Sequence, residues 1–132
     1  MTKPNMRAAG RAGEDAACAF LIENGYGVLY RNFRFGRYGE IDIIAQKAGV
    51  ICFIEVKSRA GDNYGAPSEA VGHSKRKNII TVAKHFVRTS GAENQTLRFD
   101  VIEIYLRAGA AGASPVINKI RHIENAFGDG YV

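Results

Sequence analysis

The stretch GEIDIIAQKAGVICFIEVKSR, residues 39–59, sets Asp42, Glu55 and Lys57 inside two otherwise apolar runs. Side chains alternate across a strand, so Glu55 and Lys57 share one face and Val56 takes the other. If Ala48 and Gly49 form a two-residue turn, Asp42 opposes Glu55 and Glu40 opposes Lys57. A four-residue loop keeps that register, and a three-residue loop breaks it. Two carboxylates about 5 Å apart at Cβ repel unless something neutralises them. Mg²⁺ or Mn²⁺ suits such a pair, taking hard oxygen ligands while retaining waters and room for phosphate oxygens. A metal held there activates water and stabilises charge building on a phosphoryl group. Lys57 adds a positive donor near the attacking water or the scissile phosphate. The competing reading is the solvated face of a hairpin, with each charge paired to a neighbour. The runs Ile41-Asp42-Ile43-Ile44 and Phe53-Ile54-Glu55-Val56 resemble central strands, where an unpaired carboxylate is costly.

The elements that must position these residues are legible from periodicity. RAGEDAACAFLIENGYG (11–27) reads as a helix in which Ala17, Phe20, Leu21 and Asn24 recur on one side, ending near Gly25. Glu14 lies three and seven residues before Ala17 and Leu21, on the inward stripe. Its plainer role is a first-turn glutamate favoured by the helix dipole, and Asp15 is the nearby alternative. Residues 27–46 and 50–59 supply three consecutive strands, with Gly36 to Gly39 marking a turn. SKRKNIITVAKHFVRTSG (74–91) reads as a second helix with Ser74 as N-cap, Ile79, Val82, Ala83 and Phe86 on one face, and Gly91 as the stop. LRFDVIEIYL (97–106) is a fourth strand, and PVINKIRHI (115–123) a last short one. The order predicts a single α/β domain over residues 1–132, a mixed sheet flanked by helices, with loose ends at 1–8 and 124–132.

A chain of 132 residues with 46% hydrophobic and 23% charged residues is ordinary for one globular domain. No apolar stretch reaches the roughly 18 residues of a membrane span, and MTKPNMRAAGR lacks a secretory segment, so the expected location is cytoplasmic with no membrane partner. Cys18 and Cys52 show no metal-site spacing and read as reduced, partly buried thiols. Eighteen Lys and Arg against thirteen Asp and Glu leave +5. The clusters Arg31, Arg34, Arg37 and Lys75, Arg76, Lys77 suit a phosphate backbone, or simply a solvated basic surface. Lys75 is placed to reach the active site or a phosphate. Tyr64 and Pro67 shape a loop near the site, with packing favoured over base stacking for Tyr64. Glu40 and Glu69 are weaker candidates to support the acids. His73, His85 and His122 lack metal-ligand spacing and read as structural or surface residues.

Taken in order, GE on the first helix, GEIDIIA, FIEVKSR, the YGAP loop and EAVGHSKRKNI resemble the YraN-like family of bacterial predicted endonucleases. That family is similar to archaeal Holliday-junction resolvases within the PD-(D/E)XK nuclease superfamily. The resemblance spans about Arg11 to Val101 and implies a restriction-endonuclease-like αβββαβ core. It implies metal ligands at Asp42, Glu55 and Glu14, a catalytic lysine at Lys57, and Mg²⁺ or Mn²⁺ as cofactor. Ile41 stands where the superfamily's name has proline. Branched or flapped DNA is the implied substrate, and a homodimer is compatible with a junction's two equivalent cleavage points. The alternative is a nucleic-acid-binding module that keeps the fold without catalysis.

Overall fold

The computed structural model describes residues 6–60, 72–113 and 115–128. The elements run α1 (Met6–Glu23), β1 (Gly27–Arg34), a single 3₁₀ turn (Gly36–Tyr38), β2 (Glu40–Lys47), β3 (Val50–Ala60), α2 (His73–Ser90), β4 (Thr96–Arg107) and β5 (Val116–Phe127). Together they form a mixed α/β fold around one five-stranded sheet in the order β1-β2-β3-β4-β5. β1, β2 and β3 are antiparallel neighbours, β4 runs parallel to β3, and β5 returns antiparallel. A parallel step needs a long crossover, which α2 supplies between β3 and β4.

α1 closes with a Schellman arrangement: Tyr26 N–H donates to the Leu21 carbonyl at 2.9 Å and Gly25 N–H to the Ile22 carbonyl at 3.1 Å. Gly25 has φ +85°, which a glycine adopts without Cβ strain. Ala17 and Leu21 are the buried stripe, packed on Ile43, Ala45, Cys52, Ile54, Ile102 and Ile104. On the opposite face, α2 sets Ile79, Val82, Ala83 and Phe86 against Ile44, Ile51, Phe53, Phe99 and Val101. Each face therefore has its own core under one helix. Gly91 ends α2 in the left-handed conformation, as its position implied. Its N-cap is Gly72 rather than Ser74, because the first turn closes two residues earlier, with Arg76 N–H donating to the Gly72 carbonyl.

β5 is longer than its sequence suggests. It continues to Phe127, so residues 124–127 belong to the sheet and not to a loose tail. The cause is β4, whose buried N-terminal half needs a partner: Asn125 N–H donates to Asp100 at 2.9 Å, and Phe127 packs on Phe99 with ring centroids 5.3 Å apart. Ladder shifts at Phe99/Val101 and Tyr105/Leu106 hide this strand's period.

Candidate active site

The β2–β3 hairpin fixes the first two acids. Ala48 (φ +50°) and Gly49 (φ +79°) make the tight turn, and Ile43 opposes Ile54 while Lys47 opposes Val50. This is the register that directs Asp42 toward Glu55. The ladder stops at Ile43/Ile54, because the outer end of β2 stays with β1 through Ile41–Phe33 and Glu40–Arg34. Glu40 consequently faces Arg34, at 3.9 Å, instead of Lys57. Where the strands part, the Asp42 carboxylate takes over an acceptor role and receives the Val56 N–H at 2.8 Å. A divergence between strands thus leaves two acids at an opening in the sheet.

Glu55 is only 2% exposed. Its Oε2 accepts from Lys75 Nζ at 3.0 Å, reaching in from the first turn of α2. Its Oε1 is buried with no hydrogen-bond partner. Burial, and then the Asp42 charge, push the Glu55 carboxyl up to about 7, against the opposing pull of Lys75 and Lys57. Asp42 is also raised, by burial first, with Val56 N–H and both lysines pulling the other way. Lys57 is lowered by its own burial and then by Lys75 beside it. Burial works against the charge of Lys75 too, but the carboxylates outweigh it and raise that ammonium.

Glu14 comes from α1, half-buried on the inward side as its spacing implied. Gly13 precedes it at a close approach to Ser58 of β3, where an added Cβ would collide with the Ser58 hydroxyl. Glu14 Oε1 is likewise buried without a partner. Its carboxyl is raised by burial and then by Asp42, with Arg31 and Asn32 lowering it. Asp42 therefore links the helix acid to the strand acid, its charge acting on both. Asp15, the alternative to Glu14, instead faces outward and pairs with Arg31 at 2.8 Å. Among the described residues, no group of three or more His, Cys, Asp or Glu side chains is arranged to hold a metal ion. The fit to a hard cation lies in the donor chemistry: three raised carboxyls, two with an orphaned buried oxygen.

Other anticipated residues fall into distinct places. Arg31 is tied to Asp15 and Arg34 faces Glu40, both at exposed positions, while the Arg37 guanidinium lies 5.8 Å from the Tyr38 ring centroid. Arg76 sits over Phe127 at 5.6 Å, and Lys77 is exposed on α2. Tyr64, Pro67 and Glu69 lie outside the described residues, as does the side chain of His73. His85 stacks on Phe35 at 3.8 Å, and His122 bonds Asp100 at 2.8 Å. Cys18 and Cys52 are free thiols, and burial pushes Cys52 up to about 11.

Two buried acids on β4 were not anticipated. Asp100 and Glu103 are both 0% exposed. Asp100 is gripped by Arg98, His122 and the Asn125 N–H; Glu103 accepts from Tyr105 Oη at 2.9 Å and Arg59 Nε at 3.2 Å.

The fold and the site define a mixed α/β protein with an acid–lysine cluster at a strand divergence. Its family follows from comparison: the model of Uncharacterised protein family UPF0102 matches residues 13–104, and the chain belongs to that family. A UPF0102 protein of Acetivibrio thermocellus is 44% identical over 125 residues, covering 95% of each chain. Another, of Symbiobacterium thermophilum, is 44% identical over 121 residues, covering 92% of this chain and 97% of the relative. A third, of Caldanaerobacter subterraneus, is 39% identical over 127 residues, covering 96% and 100%. Among the described residues, no helix is long and apolar enough to cross a membrane.

Proposed function

We propose that this chain is a Mg²⁺- or Mn²⁺-dependent endonuclease-like protein that hydrolyses phosphodiester bonds in branched or flapped DNA, on a restriction-endonuclease-like αβββαβ core extended by β5. The observation carrying this reading is the unsatisfied Glu55: a buried carboxylate raised to about 7, one oxygen orphaned, beside Asp42 and two lysines. A folded chain gains nothing in stability from such an arrangement. It gains a set of hard oxygen donors beside positive charge, which suits a cation and a phosphate together.

Asp42, Glu55 and Glu14 would hold the cation, which supplies an activated water and a counter-charge for the phosphate. The remaining work belongs to the chain. The Val56 N–H holds Asp42 in one orientation, so that its carboxylate need not reorganise when a ligand arrives. Lys57, its proton loosened by burial and by Lys75, is suited to orient the attacking water or neutralise a phosphate oxygen. Lys75, 3.0 Å from Glu55 in the first turn of α2, would be within reach of a phosphate oxygen beside the same acids.

The test is purified protein with four-way junction, flap, single-stranded and duplex DNA, each with Mg²⁺, Mn²⁺ or chelator. Cleavage that needs the metal and disappears in Asp42→Ala supports the reading. Cleavage unchanged by Asp42→Ala comes from a contaminant, and DNA binding without cleavage on any substrate supports a binding module instead.

A further inference from the structure

The sheet face that carries Glu55 continues past the acid cluster toward the free edge at β5. Strand register makes its rows explicit. Glu55 is aligned with Val101 and Val101 with Ile123; the next row is Lys57, Glu103 and Arg121; the row after that is Arg59, Tyr105 and Lys119. Aligned residues point to the same side of a sheet. Four cations therefore stand in two successive rows beside the cluster: Lys57, Arg59, Arg121 and Lys119.

The acids on this face of β3, β4 and β5 are Glu55 and Glu103, and both are buried. Glu103 lies beneath the cations: Arg59 donates to it, and Tyr105, which also bonds it, has Lys119 6.0 Å above its ring. Buried Glu103 anchors Arg59 and fixes the Tyr105 hydroxyl, while Arg121 and Lys119 remain at the exposed surface of β5. Among the described residues of β3, β4 and β5, the outer side chains of these two rows are cationic. Of the arginines first suggested by sequence, Arg31 and Arg34 each face an exposed acid across their own pair, whereas the acid beneath Arg59 is buried.

Resting on the phosphodiesterase reading, we propose that Arg59, Lys119 and Arg121 form the principal track for a nucleic-acid backbone, leading it across β3, β4 and β5 into the Asp42–Glu55 cluster. The occupant is a nucleic-acid strand held by its phosphodiester backbone, for three reasons: the surface is cationic, it is continuous with a site suited to one phosphate, and its side chains suit phosphate contacts more than base readout. A DNA arm thus enters from the β5 edge, and the β1–β2 hairpin with Arg31, Arg34 and Arg37 plays the smaller part.

The experiment is equilibrium binding of fluorescent junction and duplex DNA to the full chain, in chelator, across a salt series. Three variants are compared with the parent: Lys119→Gln/Arg121→Gln, the same pair with Arg59→Gln, and Arg31→Gln/Arg34→Gln/Arg37→Gln. The exposed pair keeps the fold intact even if removing Arg59 from buried Glu103 does not. Expected is a loss of about tenfold or more at low salt for the exposed pair, with the slope of log affinity against log salt reduced by nearly one per lost phosphate contact. The hairpin variant should lose less. Parental affinity and slope in the exposed pair, or a larger loss in the hairpin variant, overturns the track. The two readings fail separately: metal-dependent, Asp42-dependent cleavage with parental binding in the exposed pair sinks only the track. Binding lost in that pair, with no Asp42-dependent cleavage by the parent, sinks only the hydrolase.

Discussion

Asp100 and Glu55 lie on neighbouring strands, one position out of register, and the sheet buries both. Their fates differ. Asp100 faces α1, where Arg98 donates to it through Nε at 2.9 Å and Nη2 at 2.8 Å, with His122 and the Asn125 N–H completing the set. Burial raises its carboxyl, but those donors outweigh it and hold the group below its ordinary value. Glu55 faces α2 with one lysine, one orphaned oxygen and a second carboxylate, and is raised. Burial alone therefore does not mark a functional acid. What separates the two is whether the protein supplies as many donors as the carboxylate can accept.

The largest expected effect breaks the satisfied side. Asp100→Ala leaves Arg98 and His122 facing an apolar gap and frees the bulge at Asn125. Unfolding in urea should show a loss of about 3–5 kcal/mol. Asp42→Asn tests the unsatisfied side with the opposite balance: it removes repulsion from Glu55, so stability should hold or rise slightly, while metal-dependent cleavage falls about a hundredfold or more. A large loss of stability in Asp42→Asn would make that acid as structural as Asp100 and erase the contrast.

The acidity of the two groups sharpens the comparison without removing either. The folded Glu55 carboxyl titrates near 7, well above an unfolded glutamate, so between those values the folded chain holds the extra proton. Its contribution to stability is present at low pH and lost as pH rises through about 7. Asp100 runs the other way: its value is depressed, so its contribution is present above the ordinary aspartate range and lost as pH falls through the folded value. Urea midpoints at pH 5 and pH 8 for parent and Glu55→Gln isolate the first effect. The parent should lose on the order of 1–2 kcal/mol more than the variant between them. Equal losses would mean that Glu55 is already ionised at the lower pH.

The two regions were also unequally legible in the sequence. Asp42 and Glu55 could be placed because the information is local: a two-residue turn and a period of two settle which side chains meet. Glu14 followed from a helical stripe. What lay beyond local pattern was the parting of β2 from β3, which depends on β1 holding Glu40 and Ile41. Asp100 and Glu103 were hidden because LRFDVIEIYL alternates like a half-exposed strand. Their burial comes from α1, β3 and a β5 whose bulges disguise it, and their partners Arg59, His122 and Asn125 lie far away in sequence. Lys75 was readable as a cation near the site, but its seat on Glu55 was not, since that requires the crossover to bring the first turn of α2 over β3.

That seat supports the smallest and most discriminating prediction. Lys75 stands 3.0 Å from Glu55 and beside Lys57, so it neutralises the carboxylate that the proposed cation would need. Replacing it with methionine removes a competing charge while keeping much of the side chain's packing. Because Lys75 is about half exposed, solvent screens its attraction, and Mn²⁺ should bind the Lys75→Met variant only about two- to fivefold more tightly, read by paramagnetic resonance of free Mn²⁺. DNA affinity should change in the other direction, since the ammonium would otherwise serve a phosphate. Asp42→Asn in the same background should abolish the gain, because the tighter binding depends on the paired carboxylates. Weaker Mn²⁺ binding in Lys75→Met would show that the lysine organises the acids for the cation, and Asp100, with its permanent arginine, would then be the closer likeness to Glu55.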